Sequence, residues 1–200
     1  VDYENIKSLA KCGEQLFDRQ MFNAVTCARI NPEKGIALAL EACRIVSQSV
    51  DNFRWYVIGP KDEDAADYYN DIVKKIDSYG LDGKFILLGS RFDPYKYFAQ
   101  CDLLVQPSLN ESQCLVLMEA LICGAPIVST ATVGGKATIS DGVTGVIADI
   151  SAEDLACKIC ELVSDDSRRL VIKKNIENID FSKQNDKVID DFYRVISSLY

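Results

Sequence analysis

An arginine and a lysine, Arg29 and Lys34, follow the first apolar run of the chain, Asn23–Ile30. Two cations at such a point can clamp a phosphate, arginine through a bidentate fork and lysine as a point charge. Read alone, they are also what any solvated surface carries. Two carboxylates, Glu111 and Glu119, lie around the start of a second apolar run, Leu115–Ile122. Their separation is about 2.2 helical turns, and two helical side chains at that spacing stand roughly 80° apart. With Glu111 in the preceding loop, both can reach one pocket. A carboxylate accepts two hydrogen bonds and so suits a pair of vicinal hydroxyls, as on a ribose. Taken singly, Glu111 reads as an acid favoured by a helix dipole and Glu119 as an exposed helical residue. The loop Pro107–Cys114 leads into a helix whose free N–H groups and positive end make an anion site. Val133-Gly134-Gly135-Lys136 reads as a loop whose backbone can approach a ligand closely.

These groups need a frame, and the chain alternates strand with helix. Asn23–Ile30, Arg54–Ile58, Lys84–Leu88, Leu103–Gln106, Ile127–Ser129 and Thr144–Ile147 read as short strands. Gly59-Pro60, Gly89 and Pro107 stop three of them. Ile36–Val46, Ala65–Tyr79, Pro94–Ala99 and Leu115–Ile122 read as the intervening helices, with Ile72, Val73 and Ile76 on one buried face. Gly124 suits a helix C-terminus. Asp2–Leu16 reads as a leading helix. Ser151 can cap Ala152–Val163, with Asp154 in place of the usual capping-box Glu. Ser167–Asn178 and Ser182–Leu199 complete the chain. This order predicts an α/β domain with a doubly wound parallel sheet, Rossmann-like, helices covering both faces. Ligands of such sheets bind at the carboxyl ends of the strands. That directs attention to residues 29–34, 59–61, 89–91, 107–113 and 130–136. A leading segment 1–22, a domain 23–180 and a terminal helix 181–200 are the expected divisions. The last helix carries an apolar stripe, Val188, Ile189, Phe192, Val195, Ile196 and Leu199, expected to pack on the domain.

Composition narrows the chemistry. Of 200 residues, 22 are Lys or Arg and 30 are Asp or Glu, for a net charge of −8. With a pI near 4.6, the chain is a poor nucleic-acid binder, since that binding rests on cations neutralising phosphates. Hydrophobic residues make up 48%, which excludes disorder and collagen. Histidine is absent, which removes Ser-His-Asp and Cys-His catalysis and any His-ligated metal from this chain. The eight cysteines are expected to be reduced, because a chain of this size needs no disulfide staple. Cys157-x-x-Cys160 has the look of a redox or zinc half-motif. It lies in a helical pattern with no second pair at zinc spacing, so ordinary helix positions are expected. No run approaches the length of a membrane helix, and a cytoplasmic location is expected. Neither GxGxxG nor a Walker A sequence occurs.

Taken in order, Arg29…Glu33-Lys34-Gly35, Val57-Ile58-Gly59, Phe85–Gly89, Cys101-Asp102-Leu103…Pro107-Ser108, Glu111-x7-Glu119-Ala120, Gly124-Ala125-Pro126-Ile127-Val128, Gly134-Gly135 and Asp141-Gly142…Gly145 form a specific series. It resembles the C-terminal domain of a GT-B glycosyltransferase, of the retaining group 1 or family 4 type. The likeness runs over the whole chain. Asp93-Pro94-Tyr95-Lys96-Tyr97 is similar to bacterial members that build surface polysaccharides. The resemblance implies a two-domain enzyme whose C-terminal half holds a nucleotide sugar, UDP-linked by family frequency, for transfer to a saccharide or lipid-linked acceptor. Carried over residue by residue, it implies Arg29, Lys34 and the segment Gln113, Cys114, Leu115 and Val116 at the donor diphosphate. Glu119 would hold the ribose and Glu111 the transferred sugar, as the catalytic carboxylate. Gly89, Ser90, Arg91 and Phe92 would lie near the base. Fixed cations and helix N–H groups, with no metal or other cofactor, would stabilise the leaving group.

This sequence departs from the family pattern in two places. Ser112-Gln113-Cys114 stands where members carry Gly-Phe-Gly or similar, and Thr138 stands where an acid often follows the glycine pair. The chain opens Val1-Asp2-Tyr3, and its first strand comes only near residue 23. An N-terminal acceptor-binding domain is therefore the expected partner. A fragment lacking it would be inactive by itself, with any membrane contact lying in that other domain. Two further readings stand beside this one. One is a non-catalytic nucleotide-binding or interaction module of the same fold. The other is a sugar-nucleotide epimerase of related two-domain build.

Overall fold

The computed structural model describes residues 2–11 and 13–181. Six strands form one parallel sheet: β1 (Phe22–Cys27), β2 (Phe53–Ile58), β3 (Phe85–Gly89), β4 (Leu103–Gln106), β5 (Ile127–Thr130) and β6 (Val146–Ala148). Their order is β3-β2-β1-β4-β5-β6. The chain steps outward from β1 to β3, then returns to the other side of β1 and steps outward again. The direction of winding thus reverses between β1 and β4, and the carboxyl ends of those two strands form the switch-point crevice.

Eight helices fill the connections among the described residues: α1 (Tyr3–Leu9), α2 (Ile36–Val46), α3 (Ala66–Ser78), α4 (Tyr95–Gln100), α5 (Leu115–Ile122), α6 (Val133–Thr138), α7 (Ala152–Ser164) and α8 (Asp166–Glu177). Helix α2 packs on α3 and α7, while α1, α4 and α5 pack on one another. With helices on both faces, the strands need not alternate. β4 and β5 are buried at every position, as are all residues of β1 except Cys27. Trp55 is fully buried, and its indole N–H donates to Thr26 Oγ1 at 2.9 Å. The Thr26 hydroxyl donates in turn to the Val105 carbonyl at 2.7 Å. One chain of hydrogen bonds therefore crosses from β2 through β1 to β4 and satisfies the Trp55 indole and the Thr26 hydroxyl.

Several elements differ from the sequence reading. The leading helix stops at Leu9 instead of Leu16. Beyond it, Gln100 of α4 accepts from the Leu16 N–H at 3.1 Å and donates to the Glu14 carbonyl at 3.0 Å. Those bonds use backbone groups a helix would need for itself. β1 ends at Cys27 instead of Ile30, although Ile30 still bridges to Lys61. Val73 faces solvent at 44% exposure, so the buried face of α3 is Ile72 and Ile76 alone. Residues 133–136 are not a loop but the first turn of α6, capped by Thr132, whose hydroxyl accepts from the Gly135 N–H at 3.1 Å. Helix α7 begins as expected, with Ser151 Oγ accepting from the Asp154 N–H at 3.1 Å. The return bond goes elsewhere: Asp154 accepts from the Asp149 N–H at 2.7 Å. Helix α8 starts at Asp166 under an Asp165 cap, ahead of Ser167. The expected helix Ser182–Leu199 lies outside the described residues.

Seven cysteines are described, and all are free thiols. Burial pushes Cys43 up to about 12. Cys157 is exposed on α7, beside Cys160. Among the described cysteines, brief iodoacetamide treatment of the native protein at neutral pH is therefore expected to label Cys157 and spare Cys43 and Cys101. Peptide mass mapping checks this, and early labelling of Cys43 would contradict it.

Candidate functional site

The crevice at the ends of β1 and β4 is built from the chain segments that follow those strands. After β1 the backbone forms a 3-10 turn over Pro32–Lys34, capped by Asn31. It closes on Gly35, whose φ is +66°. A Cβ at Gly35 would lie 1.9 Å from the Pro107 carbonyl oxygen, so only glycine lets the two strand ends approach this closely. The loop after β4 is held from several sides. The Leu109 N–H donates to the Glu33 carbonyl at 2.9 Å, and the Thr130 hydroxyl donates to the Ser108 carbonyl at 2.6 Å. The Gly134 N–H donates to the Glu111 carbonyl at 2.7 Å. A Cβ at Gly134 would sit 3.1 Å from the Gln113 nitrogen. Gly134 thus lets α6 pack closely on residues 113 and 114, while Gly135 packs on the end of β5, where its Cβ would lie 2.6 Å from the Thr130 carbonyl oxygen.

The loop so fixed carries Glu111 to Lys34, Oε2 to Nζ 2.6 Å. Their side chains are only 14% and 23% exposed. A cation and a carboxylate, drawn from segments 77 residues apart, are locked together at the switch point. Beside them Cys114 occupies the N-cap of α5 and supplies no side-chain cap. The Leu117 N–H turns back to the Cys114 carbonyl at 3.2 Å, and the N–H groups before it are left for another acceptor. Cys114 is buried, and burial raises its thiol. Gln113 and Leu115 are exposed, and Val116 is half-buried.

Glu119 lies one turn further along α5, half-buried, with Tyr95 of α4 donating to its Oε1 at 3.4 Å. Burial raises its carboxyl above the ordinary range, and the Tyr95 hydrogen bond partly opposes that. Cys27, at the end of β1, is pushed up to about 12 by burial, and then by the Glu119 carboxylate and Cys114. The end of β1, the start of α5 and Glu119 therefore share one poorly solvated region.

Two groups of expected site residues stand apart from this cluster. Arg29 is 61% exposed and turned to Asp62 after β2, Nη1 to Oδ2 3.3 Å. Gly89 ends β3 and Ser90, Arg91 and Phe92 follow it, at the sheet edge two strands from β1. Arg91 Nε donates to the Tyr97 hydroxyl at 3.2 Å, and Phe92 is fully exposed. Helix α4, which starts just after this loop and carries Tyr95, connects it to Glu119.

Sequence reasoning missed three groups. Asn31 carries no motif of its own, and Tyr95 stands out only as part of Asp93–Tyr97, with no role toward Glu119. Asp62-Glu63-Asp64 does have the Asp-x-Asp form that elsewhere holds a metal. Here Asp62 caps a 3-10 turn over Glu63–Ala65, and its Oδ2 also takes Asn31 Nδ2 at 3.0 Å. Among the described residues no three His, Cys, Asp or Glu side chains gather into a metal-holding group.

Known proteins resemble the chain in sequence and in fold. It is 27% identical over 166 residues to an uncharacterised 41.2 kDa protein in the cps region of Klebsiella pneumoniae, covering 80% of this chain and 41% of that protein. It is 28% identical over 141 residues to the amylovoran biosynthesis glycosyltransferase AmsK of Erwinia amylovora, covering 64% and 32%. The chain thus spans less than half the length of these curated relatives. Among solved structures, Anabaena Alr3699/HepE in complex with UDP superposes with a TM-score of 0.83 at 24% identity, covering 98% of this chain and 53% of that one. The C-terminal domain of the glycosyl transferase group 1 family protein LpcC of Francisella tularensis gives 0.72 at 22%, covering 84% and 93%. The fold is the Rossmann-like α/β domain of GT-B glycosyltransferases. Residues 14–179 match the profile of the family described as glycosyl transferases group 1, and the chain belongs to that family.

Proposed function

We propose that the chain is the C-terminal, donor-binding half of a retaining glycosyltransferase of the family 4 type. It takes a sugar from a nucleotide donor, UDP-linked, and delivers it to a saccharide or lipid-linked acceptor in surface polysaccharide synthesis. The observation that carries this reading is the Lys34–Glu111 pair at the switch point, beside the uncapped start of α5 with Glu119 one turn on. A diphosphate fits there because it meets both a cation and free helix N–H groups. Glu119 accepts from the two ribose hydroxyls. In transfer, the anomeric C–O bond breaks and its electron pair stays on the departing diphosphate, which Lys34, Arg29 and the N–H groups of Gln113–Val116 stabilise. The sugar gains positive charge as this happens, and the Glu111 carboxylate stands where it favours that charge. The acceptor oxygen then bonds to the anomeric carbon on the face that the diphosphate leaves, and its proton passes to the departing diphosphate oxygen. No step calls on a metal. The base lies toward residues 89–92.

The acceptor is held by an N-terminal domain of the same protein, and the present chain binds donor without transferring sugar efficiently. No described helix is long and apolar enough to cross a membrane. The proposed site of action is the cytoplasm, where nucleotide sugars are made.

Support for this reading includes the Erwinia relative, named as an amylovoran biosynthesis glycosyltransferase. The Anabaena structure contains UDP. The Francisella structure is itself described as a C-terminal domain. Arg29→Ala and Lys34→Ala are each expected to weaken UDP binding about tenfold or more, since each removes a charged hydrogen-bond donor. Uridine binding should be unchanged. Calorimetric titration of both ligands tests this, and unaltered UDP affinity in both variants would remove the diphosphate assignment.

A further inference from the structure

Arg29 and Lys34 belong to different parts of the turn after β1, and one side chain joins them. Asn31 is 8% exposed and uses both ends of its amide. Its Oδ1 accepts from the Lys34 backbone N–H at 3.1 Å, capping the 3-10 turn that carries Lys34. Its Nδ2 donates to Asp62 Oδ2 at 3.0 Å, the same oxygen that takes Arg29 Nη1 at 3.3 Å. Its own N–H donates to the Arg29 carbonyl at 3.0 Å. The ends of β1 and β2 are held side by side here, with the Ile30 N–H on the Pro60 carbonyl at 2.9 Å.

We propose that Asn31 is the positioning residue for both cations of the donor site, setting the Lys34 backbone directly and the reach of Arg29 through Asp62. The proposal rests on the donor-site reading above and adds the residue that shapes it. The physical reason is entropic and electrostatic together. Arg29 is mostly exposed and, untethered, would sample many rotamers, each of which binding must forgo. Asp62 would hold Arg29 more tightly if its charge faced Arg29 alone. Sharing Oδ2 with the Asn31 amide leaves Arg29 held near the strand end but available to a stronger anion. Lys34 in turn can reach Glu111 only from a closed turn, and Asn31 supplies the cap of that turn.

The test is titration of the 200-residue chain with UDP and, separately, with uridine, which lacks the diphosphate. Asn31→Ala is expected to weaken UDP binding about tenfold, as for loss of a hydrogen bond serving a charged group, and to leave uridine binding within about twofold of wild type. Asn31→Ser keeps an oxygen that can cap the Lys34 N–H but is too short to reach Asp62, so it should recover part of the loss. A purely structural role would lower both ligands alike or change only the melting temperature, and either result overturns the inference. So does wild-type UDP affinity in Asn31→Ala while Arg29→Ala and Lys34→Ala lose it. If those two variants keep full UDP affinity, the donor-site reading fails first, and the inference goes with it. Should Asn31→Ala not fold, Asn31→Ser decides. UDP binding weaker by about threefold or more with uridine unchanged supports the proposal, and wild-type affinity overturns it.

Discussion

Replacing Glu119 is expected to cost nucleotide affinity and to increase stability, two opposite effects from one side chain. Glu119→Ala removes the acceptor of two ribose hydroxyls. Hydrogen bonds to a charged group contribute about 1.5–3 kcal/mol each, so affinity for a nucleoside diphosphate should fall at least tenfold. Stability should move the other way in Glu119→Gln, which keeps the shape and an acceptor for Tyr95. The Glu119 carboxyl is raised, chiefly by burial, so the folded protein disfavours its ionised form. A raised group contributes stability that is complete below its unfolded pKa, near 4.3 for Glu, and that is lost as pH rises through the folded value. At neutral pH the ionised Glu119 is therefore a burden that Gln removes. Glu119→Gln should melt higher than wild type at pH 7, and the difference should shrink as pH falls toward about 4. Melting curves at several pH values, paired with UDP titrations, check both halves. A variant that binds UDP normally, or that melts lower at pH 7, would show that Glu119 is an ordinary helix residue. A half-buried charge kept at a cost to stability is consistent with a binding role.

Gly35→Ala should produce the largest structural effect. Two separate penalties meet at this residue. Its φ of +66° strains any L side chain, at a cost of about 1–2 kcal/mol. Its Cβ would also fall 1.9 Å from the Pro107 carbonyl oxygen, and that neighbour is backbone that cannot rotate away. The β4–α5 loop must then shift, and with it Glu111. Gly80 serves as the control, because it has φ +63° but no atom within 4 Å of an added Cβ. Gly80→Ala should pay only the strain. Gly35→Ala should cost about 3 kcal/mol or more, lowering the melting temperature by roughly 6–12 °C in a domain of this size. It should also lose UDP affinity, which Gly80→Ala keeps. Equal destabilisation by the two substitutions would mean that the strand ends are not packed as described.

How much of this could be read from the residues depends on sequence distance. Leu103–Gln106 and Leu115–Ile122 appear in the structure with the expected bounds, because each is an apolar run closed by Pro or Gly. α6 was not legible, since Gly134-Gly135 reads as a loop by propensity. Glycines stand in a helix there because tight packing, of Gly134 on residues 113 and 114 and of Gly135 on Ser129 and Thr130, leaves no room for side chains. The shortened α1 has the same kind of cause, a distant Gln100 taking backbone groups of Glu14 and Leu16.

For the site, the residue types and their place after strands were visible, but their pairing was not. Lys34 meets Glu111 only because β1 and β4 are neighbours, and the right-handed crossover rule does not by itself set that order. The turn of Arg29 toward Asp62, and the Asn31 amide between them, likewise follow from β1 lying beside β2. Pairings across strands become visible only with the register.

The central claim is that this crevice holds a nucleoside diphosphate, and titration of the chain with UDP, GDP and ADP tests it most directly. Saturable binding of one of them at one site per chain, weakened in Lys34→Ala and in Glu119→Ala, is the result expected. Absence of saturable binding by all three, in a chain shown to be folded by its cooperative melting, would contradict the account. It would favour a module of the same fold that serves another role.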